Sequence, residues 1–161
     1  MFETVNRLLE QYVGGQIFFT ELDKAVKFDI NILSQLVKKV KEEYNALGVK
    51  TIASGEIGLA MHNFGVQIDY LVPGGLRHDP SKINLAPFVS EIKGKHFVFI
   101  DDSYFSGRTA LVVKEEIERL GGIFVGSVVA YDGSKEKDPE VDSLYRYYDH
   151  YDLLGRPKTG A

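Results

Sequence analysis

The sequence predicts an α/β fold, with a mostly parallel sheet flanked by helices on both faces. Apolar runs rich in β-branched and aromatic residues alternate along the chain with amphipathic helical patterns. This order is typical of a parallel sheet with right-handed crossovers. The apolar run at residues 97–100 ends at two carboxylates and leads through a small polar turn into a helical pattern. Because parallel sheets bind ligands at the carboxyl ends of their strands, this junction is the candidate site.

The predicted elements follow from the spacing of the apolar residues. Residues 2–13 and 29–47 have the periodicity of amphipathic helices, and shorter helices are expected at residues 59–64 and 110–120. Strands are expected at residues 16–19, 49–53, 66–72, 83–89, 97–100 and 123–131. We expect a single domain with its core at about residues 29–133 and a small hood formed by the terminal segments.

Composition excludes several classes of function. The chain of 161 residues has a formal net charge of −4, which gives no general surface for nucleic acid or an anionic membrane. It contains no cysteine, so disulfides, thiol nucleophiles and cysteine-bound metals are excluded. The first residues lack the pattern of a signal peptide and no apolar run reaches membrane-spanning length, so we expect a cytoplasmic protein.

The turn after the acidic pair has the composition of a phosphate site. Ser106, Gly107 and Thr109 lie where a helix begins, and the first N–H groups of a helix are unpaired and carry the positive end of its dipole. Small residues let a phosphate approach those N–H groups, and hydroxyls add further donors. Asp101 and Asp102 are suited instead to sugar hydroxyls or to the waters of a magnesium ion.

The pattern Asp101-Asp102-x-x-x-Ser106-Gly107-x-Thr109 after an apolar strand resembles the signature of the type I phosphoribosyltransferases. The resemblance implies that the acidic pair contacts the ribose hydroxyls of phosphoribosyl pyrophosphate (PRPP) and a bound Mg²⁺. It implies transfer of the phosphoribosyl group to a nitrogen base with release of pyrophosphate, in nucleotide salvage and as a homodimer. It also implies a substrate-binding loop that comprises Ser103, Tyr104, Phe105, Ser106, Gly107, Arg108 and Thr109.

Two further loops are implied by the same resemblance. Ser54, Gly55 and Gly58 fall in the loop that contacts the pyrophosphate in this family. Residues 73–82, with Arg77, His78 and Lys82, fall where the family has a flexible catalytic loop. A solvated surface hairpin is the alternative interpretation of this second loop, since charged loops are common.

Two departures from the family leave a second function open. Lysine and arginine are absent between Thr51 and Phe64, and the position before Gly58 is Ile57 with Glu56 beside it. Catalytic members often have a cation there, so the alternative is a non-catalytic regulatory protein that binds PRPP or a nucleotide. Phe105 stands where enzymes for 6-oxopurines usually have an acidic residue, which argues against a standard hypoxanthine–guanine enzyme.

The tyrosine-rich segment at residues 144–152 also has two interpretations. It is either part of the hood that covers the base, or a final strand or interface segment whose tyrosines pack on the core. A P-loop nucleotidase is excluded, because the chain lacks the glycine-rich Gly-Lys-Ser/Thr loop that such a protein requires.

Overall fold

A computed structural model describes residues 30–158. Within that range the strands form a five-stranded sheet in the order β2-β1-β3-β4-β5, and each neighbouring pair is parallel. The strands are β1 (Lys50–Ser54), β2 (Tyr70–Val72), β3 (His96–Tyr104), β4 (Ile123–Asp132) and β5 (Val141–Arg146). The helices are α1 (Ile30–Glu43), α2 (Gly55–Asn63), α3 (Val89–Ile92) and α4 (Arg108–Arg119). The predicted fold class is thereby confirmed.

The alternation of side chains along the strands divides the core between the two faces of the sheet. On one face, α1 and α2 pack against Ala53, Val98 and Ile100. On the other, α4 and α3 pack against Ile52, Phe97 and Phe99. The crossover from β1 to β2 therefore covers the first face and the crossover from β3 to β4 covers the second.

The strand order reverses direction between β1 and β3. After β1 the chain moves outward to β2 at one edge, then returns to β3 and continues through β4 to β5 at the other edge. In open parallel sheets, such a reversal leaves a crevice at the carboxyl ends of the two central strands. The ends of β1 and β3 are the two places where the sequence has its small polar turns.

Local hydrogen bonds explain where the predicted elements differ from the structure. The strand expected at residues 83–89 is wrong, because residues 83–85 have no regular secondary structure, Ala86–Phe88 is a 3-10 turn and α3 begins at Val89. The buried side chains of Ile83 and Leu85 belong to the same core cluster as those of α4. The N–H of Leu85 donates to the carboxylate of Glu116 at 2.7 Å rather than to a strand. Strand β2 is shorter than expected and begins at Tyr70. Just before it, the Asp69 carboxylate accepts the N–H of Thr51 at 2.8 Å, and the Thr51 carbonyl accepts the N–H of Asp69 at 3.0 Å.

The C-terminal tyrosines lie in the core. The sheet extends to Arg146, beyond residue 133 where we expected the core to end, and Tyr145 and Tyr147 are buried with α1 and α2. Tyr145 stacks on Tyr131, with ring centroids 5.7 Å apart. This agrees with the interpretation of the segment as a final strand. The predicted helix at residues 2–13, the strand at 16–19 and the N-terminal part of the hood lie outside the described residues.

None of the helices within residues 30–158 is both long and apolar enough to span a bilayer.

Candidate functional site

A cleft of about 440 Å³ lies at the carboxyl edge of the sheet, at the point where the strand order reverses. Its walls come from the end of β1, the turn after β2, the end of β3 and the start of α4. Most residues that the sequence predicts for the site meet here: Ser54, Gly55, Arg77, Asp101, Asp102, Ser103, Tyr104, Phe105, Ser106, Gly107, Arg108 and Thr109.

The acidic pair lies inside β3, which runs four residues further than the apolar run alone predicts. Successive residues of a strand point to opposite faces, and Asp102 is 7% exposed whereas Asp101 is half-buried. The N–H of Asp102 donates to the Asp101 carboxylate at 2.8 Å, and the Ser103 hydroxyl donates to that of Asp102 at 3.2 Å. Both carboxylates are thus held by their own strand at the wall of the cleft.

Gly107 forms the turn between β3 and α4. Its φ of 78° is in the left-handed region, which glycine adopts without steric cost. As the residue that precedes the helix it has no side chain to cap the first turn, and the Ser106 hydroxyl only approaches the N–H of Arg108, at 3.4 Å. The first N–H groups of α4 therefore face the cleft with room for an anion, and the Thr109 hydroxyl lies among the same lining residues.

Two aromatic side chains support this turn from behind. The ring of Tyr104 lies against Gly107 and its hydroxyl donates to Asp138 at 2.9 Å. Burial raises the pKa of Tyr104 to about 12, and the bond to Asp138 adds to the shift. The ring of Phe105 packs against Gly133 and lies 5.7 Å from that of Tyr131. Phe105 thus fastens the loop to the end of β4 as well as lining the cleft.

The helix expected from residue 59 begins already at Gly55, directly after β1, and only part of the predicted pyrophosphate loop lies in the cleft. Ser54 and Gly55 line it, together with the exposed side chain of Glu56. Gly58 is buried one turn along α2, where an added Cβ would lie 2.9 Å from that of Ala53 and would overlap Leu71. Gly58 therefore permits close packing of α2 on the sheet. Ile57 is 1% exposed and packs with α1, and it also contributes to the lining of the cleft.

The loop after β2 is anchored by Leu76, which is fully buried against α4. Arg77 follows it and lines the cleft, and its Nε donates to Nε2 of His78 at 3.1 Å. His78 and Lys82 are exposed and lie outside the lining formed by the described residues. Of the three charged side chains predicted for this loop, Arg77 is the one that the fold brings to the cleft.

Some lining residues could not be predicted from the sequence, because their position depends on strand register. Ser127 and Val129 reach the cleft from β4, where they pair with Phe99 and Asp101 of β3. Val129 has no local signal, since its neighbours in the strand are apolar, whereas Ser127 follows Gly126 at a polar break in the apolar run. Pro73 and Gly74 also line the cleft, and their place directly after a predicted strand was a usable signal.

Comparison with known proteins gives matches at the level of structure. No family model matches the chain, and no curated protein matches it. The UMP synthase of Leishmania donovani superimposes with a TM-score of 0.53 at 18% identity, over 80% of this chain and 30% of that one. The orotate phosphoribosyltransferase of Mycobacterium tuberculosis, solved in complex with inorganic phosphate, gives 0.52 at 17% identity, over 78% and 76% of the two chains.

The chain has the type I phosphoribosyltransferase fold. The resemblance predicted from the acidic pair and the Ser-Gly-x-Thr turn is confirmed at this level. The likeness at 17–18% identity establishes the fold alone, and the chain spans less than a third of the length of the UMP synthase. In this example of the phosphoribosyltransferase fold, the acidic pair and the N-terminus of α4 line the same cleft.

Proposed function

We propose that the protein is a phosphoribosyltransferase that uses PRPP and transfers its phosphoribosyl group to a nitrogen base. One observation carries the proposal: carboxylates at the end of β3 and the glycine-preceded N-terminus of α4 line a single cleft at the reversal of strand order. The cleft thus has separate groups for a sugar and for a phosphate. The Mycobacterium tuberculosis neighbour was solved with inorganic phosphate, which supports a phosphate ligand for this fold.

The proposed reaction assigns a task to each wall of the cleft. The first turn of α4, with Ser106 and Thr109, binds the 5′-phosphate, and Asp101 and Asp102 accept hydrogen bonds from the ribose hydroxyls. The bond from C1 to the pyrophosphate oxygen breaks, and pyrophosphate leaves with the electron pair. A nitrogen of the base forms the new bond to C1 and loses its proton. Because the transition state resembles an oxocarbenium ion, positioning and charge stabilisation are the main contributions of the protein.

The residues of the cleft fit a magnesium ion that is held jointly by the protein and the substrate. Mg²⁺ is usually held by one or two carboxylates together with substrate phosphates, and Asp101 and Asp102 supply the carboxylates. Across residues 30–158 there is no group of three or more acidic or histidine side chains that would hold an ion unaided. When bound with PRPP, the ion neutralises negative charge on the departing pyrophosphate. Arg77 supplies a further positive charge at the cleft.

Pyrophosphate release from PRPP, measured with a panel of purine and pyrimidine bases, tests the function. We expect release that depends on one base and on Mg²⁺. Changing Asp101 and Asp102 together to Asn removes the charged acceptors for the ribose hydroxyls and weakens PRPP binding by about 10- to 100-fold. The matched control is the double change of Glu115 and Glu118, two exposed carboxylates of α4, to Gln.

Two results would contradict the proposal in different ways. If the parent binds PRPP or a nucleotide without turnover on any base, the regulatory alternative is correct. If it binds no phosphorylated ribose ligand at all, the site assignment itself is wrong.

The proposal also includes a homodimer that acts in nucleotide salvage in the cytoplasm, and light scattering on the eluted protein tests the dimer.

A further inference from the structure

Tyr104 connects two loops that are far apart in sequence. It is the last residue of β3, its ring lies against Gly107, and its hydroxyl donates to Asp138 at 2.9 Å. Asp138 belongs to the connection between β4 and β5, 34 residues away. The backbone carbonyl of Tyr104 accepts the N–H of Gly133 at 2.8 Å, at the start of the same connection. Tyr104 is therefore held at both its main chain and its side chain by the β4–β5 connection.

The acceptor of this bond is itself firmly placed. The second oxygen of Asp138 accepts the N–H of Glu140 at 2.9 Å, and the carbonyl of Glu140 accepts the N–H of Ser127 in β4 at 2.8 Å. The Glu140 carboxylate pairs with Lys114 of α4 at 3.2 Å. The β4–β5 connection is thus tied both to the sheet and to the helix whose N-terminus forms the proposed phosphate site.

We propose that Tyr104 is a positioning residue for the phosphate loop and that Asp138 fixes it in place. The proposal rests on the proposed function, since it assumes that residues 106–109 bind the 5′-phosphate. Asp138 holds the Tyr104 hydroxyl, and the Tyr104 ring lies against Gly107. These two contacts set the direction of the first N–H groups of α4. Small displacements of a binding group cost affinity, so the β4–β5 connection is part of the site although its carboxylate never touches the ligand.

A second cavity gives the phosphate loop space to move if the bond between Tyr104 and Asp138 is lost. About 270 Å³ of space lies behind the phosphate loop, lined by Tyr104, Gly107 and Lys114 on one side and by Asp138 and Glu140 on the other. Without the anchor on the hydroxyl, the Tyr104 ring and the Gly107 turn have room to relax into this space. The loop would then sample several positions in place of one, and it would have to be ordered at each binding event.

The test is the change Tyr104→Phe, which keeps the ring and removes only the hydroxyl. Titration calorimetry with ribose 5-phosphate is expected to show an affinity about three- to tenfold weaker than the parent, because one hydrogen bond that orders the loop is lost. Affinity for pyrophosphate, which has no 5′-phosphate group, is expected to be unchanged. Amide hydrogen exchange at residues 107–110 is expected to be faster.

Variants at the acceptor and at a matched tyrosine complete the design. Asp138→Ala is expected to reproduce the loss, and the double variant with Tyr104→Phe to lose no more than either single one. Asp138→Asn keeps an acceptor and is expected to restore most of the affinity. Tyr70→Phe is the control, because it removes an equivalent bond from Tyr70 to Glu91 of 2.8 Å away from the cleft.

Unchanged ribose 5-phosphate affinity and unchanged exchange in Tyr104→Phe would overturn the proposal. A loss in Tyr104→Phe that Asp138→Ala does not reproduce would overturn the role of Asp138. If the parent fails to bind ribose 5-phosphate, the proposed function is wrong. The exchange rates at residues 107–110 then still decide whether Tyr104 orders the loop, so the two failures are distinguishable.

Discussion

At the scale of single residues, two features require glycine at position 107: its backbone conformation and the close approach of the Tyr104 ring. Its φ of 78° disfavours any residue with a side chain, and a Cβ built there would overlap the Tyr104 hydroxyl oxygen and lie 2.9 Å from its Cζ. The first constraint alone costs about 1–2 kcal/mol. The second forces either the turn or the aromatic ring to move.

We expect Gly107→Val to lower the free energy of unfolding by about 1–3 kcal/mol and to weaken ribose 5-phosphate binding by at least about tenfold. Urea unfolding and calorimetry measure the two effects. Gly48→Val is the matched control, because Gly48 has a φ of 76° but open space around its Cβ position. The control should lose stability with no change in affinity. Parent-like affinity in the Gly107 variant would contradict the phosphate assignment.

Phe105 has a packing role at the position where enzymes for 6-oxopurines usually have an acid. Its ring fills the space above Gly133 and packs near Tyr131, so the loop is held by an apolar contact at this position. The sequence predicts that the chain differs from enzymes with an acid here. The packing contact of Phe105 could not be predicted from the sequence, because it depends on the end of β4 lying beside the loop.

At the scale of elements, the loop after β2 divides its charges between the cleft and the solvent. Leu76 is buried and fixes the start of the loop, and Arg77 lines the cleft, whereas His78 and Lys82 are exposed and are not among its lining residues. The sequence predicts a role for all three of Arg77, His78 and Lys82, because it does not show which of them lies at the cleft once Leu76 is buried.

We expect Arg77→Ala to lower kcat/KM for PRPP by about 10- to 100-fold, because a positive charge beside the departing pyrophosphate is lost. Steady-state kinetics with pyrophosphate detection measures this. Lys95→Ala removes an exposed positive charge at the opposite, amino-terminal edge of β3 and serves as the control. Binding of ribose 5-phosphate should be nearly unchanged in the Arg77 variant, since the proposed phosphate site is at the start of α4. A kcat/KM equal to that of the parent would exclude Arg77 from the reaction.

Glu116 fastens the β2–β3 connection to α4. Its carboxylate is 8% exposed and accepts bonds from Arg119 at 2.8 and 3.0 Å and from the N–H of Leu85 at 2.7 Å. The hydrogen bonds from Arg119 lower the pKa of Glu116 from its ordinary value of 4.5, and the Leu85 N–H adds to this against the opposing effect of burial. A carboxyl with a lowered pKa stabilises the folded state above its unfolded-state pKa and loses that contribution as the pH falls through its folded-state pKa.

We therefore expect Glu116→Gln to destabilise the protein by about 1–2 kcal/mol at pH 7, and the difference from the parent to shrink below pH 4.5. Urea unfolding at a series of pH values from 7 to 3 measures it. Glu115→Gln, at the exposed neighbouring position, should show no such trend. A difference that stays constant over this range would mean that the charge of Glu116 is not what stabilises the contact.

At the scale of the whole molecule, the sequence predicts contiguous features well and features that depend on register poorly. Asp101, Ser106 and Thr109 could be placed together because they lie on one strand, one turn and one helix end. Ser127 and Val129 could not, because they reach the cleft only through the pairing of β4 with β3. Residues 83–89 have the alternation of a strand, but Glu116 takes the Leu85 N–H and Asn84 accepts that of Ala86.

The parallel sheet also has a consequence for the order in which the protein folds. Parallel neighbours cannot be joined by tight hairpins, and β1 pairs with β3 across more than forty residues of chain. Folding must close these long loops before any pairing can stabilise them, and long-range parallel pairing is intrinsically slow to form. The turn at Gly107 needs β3, α4 and the distant Asp138 together, so it is completed late. A phosphate ligand added during refolding should therefore leave the early kinetic phases unchanged and slow only the unfolding of the finished protein.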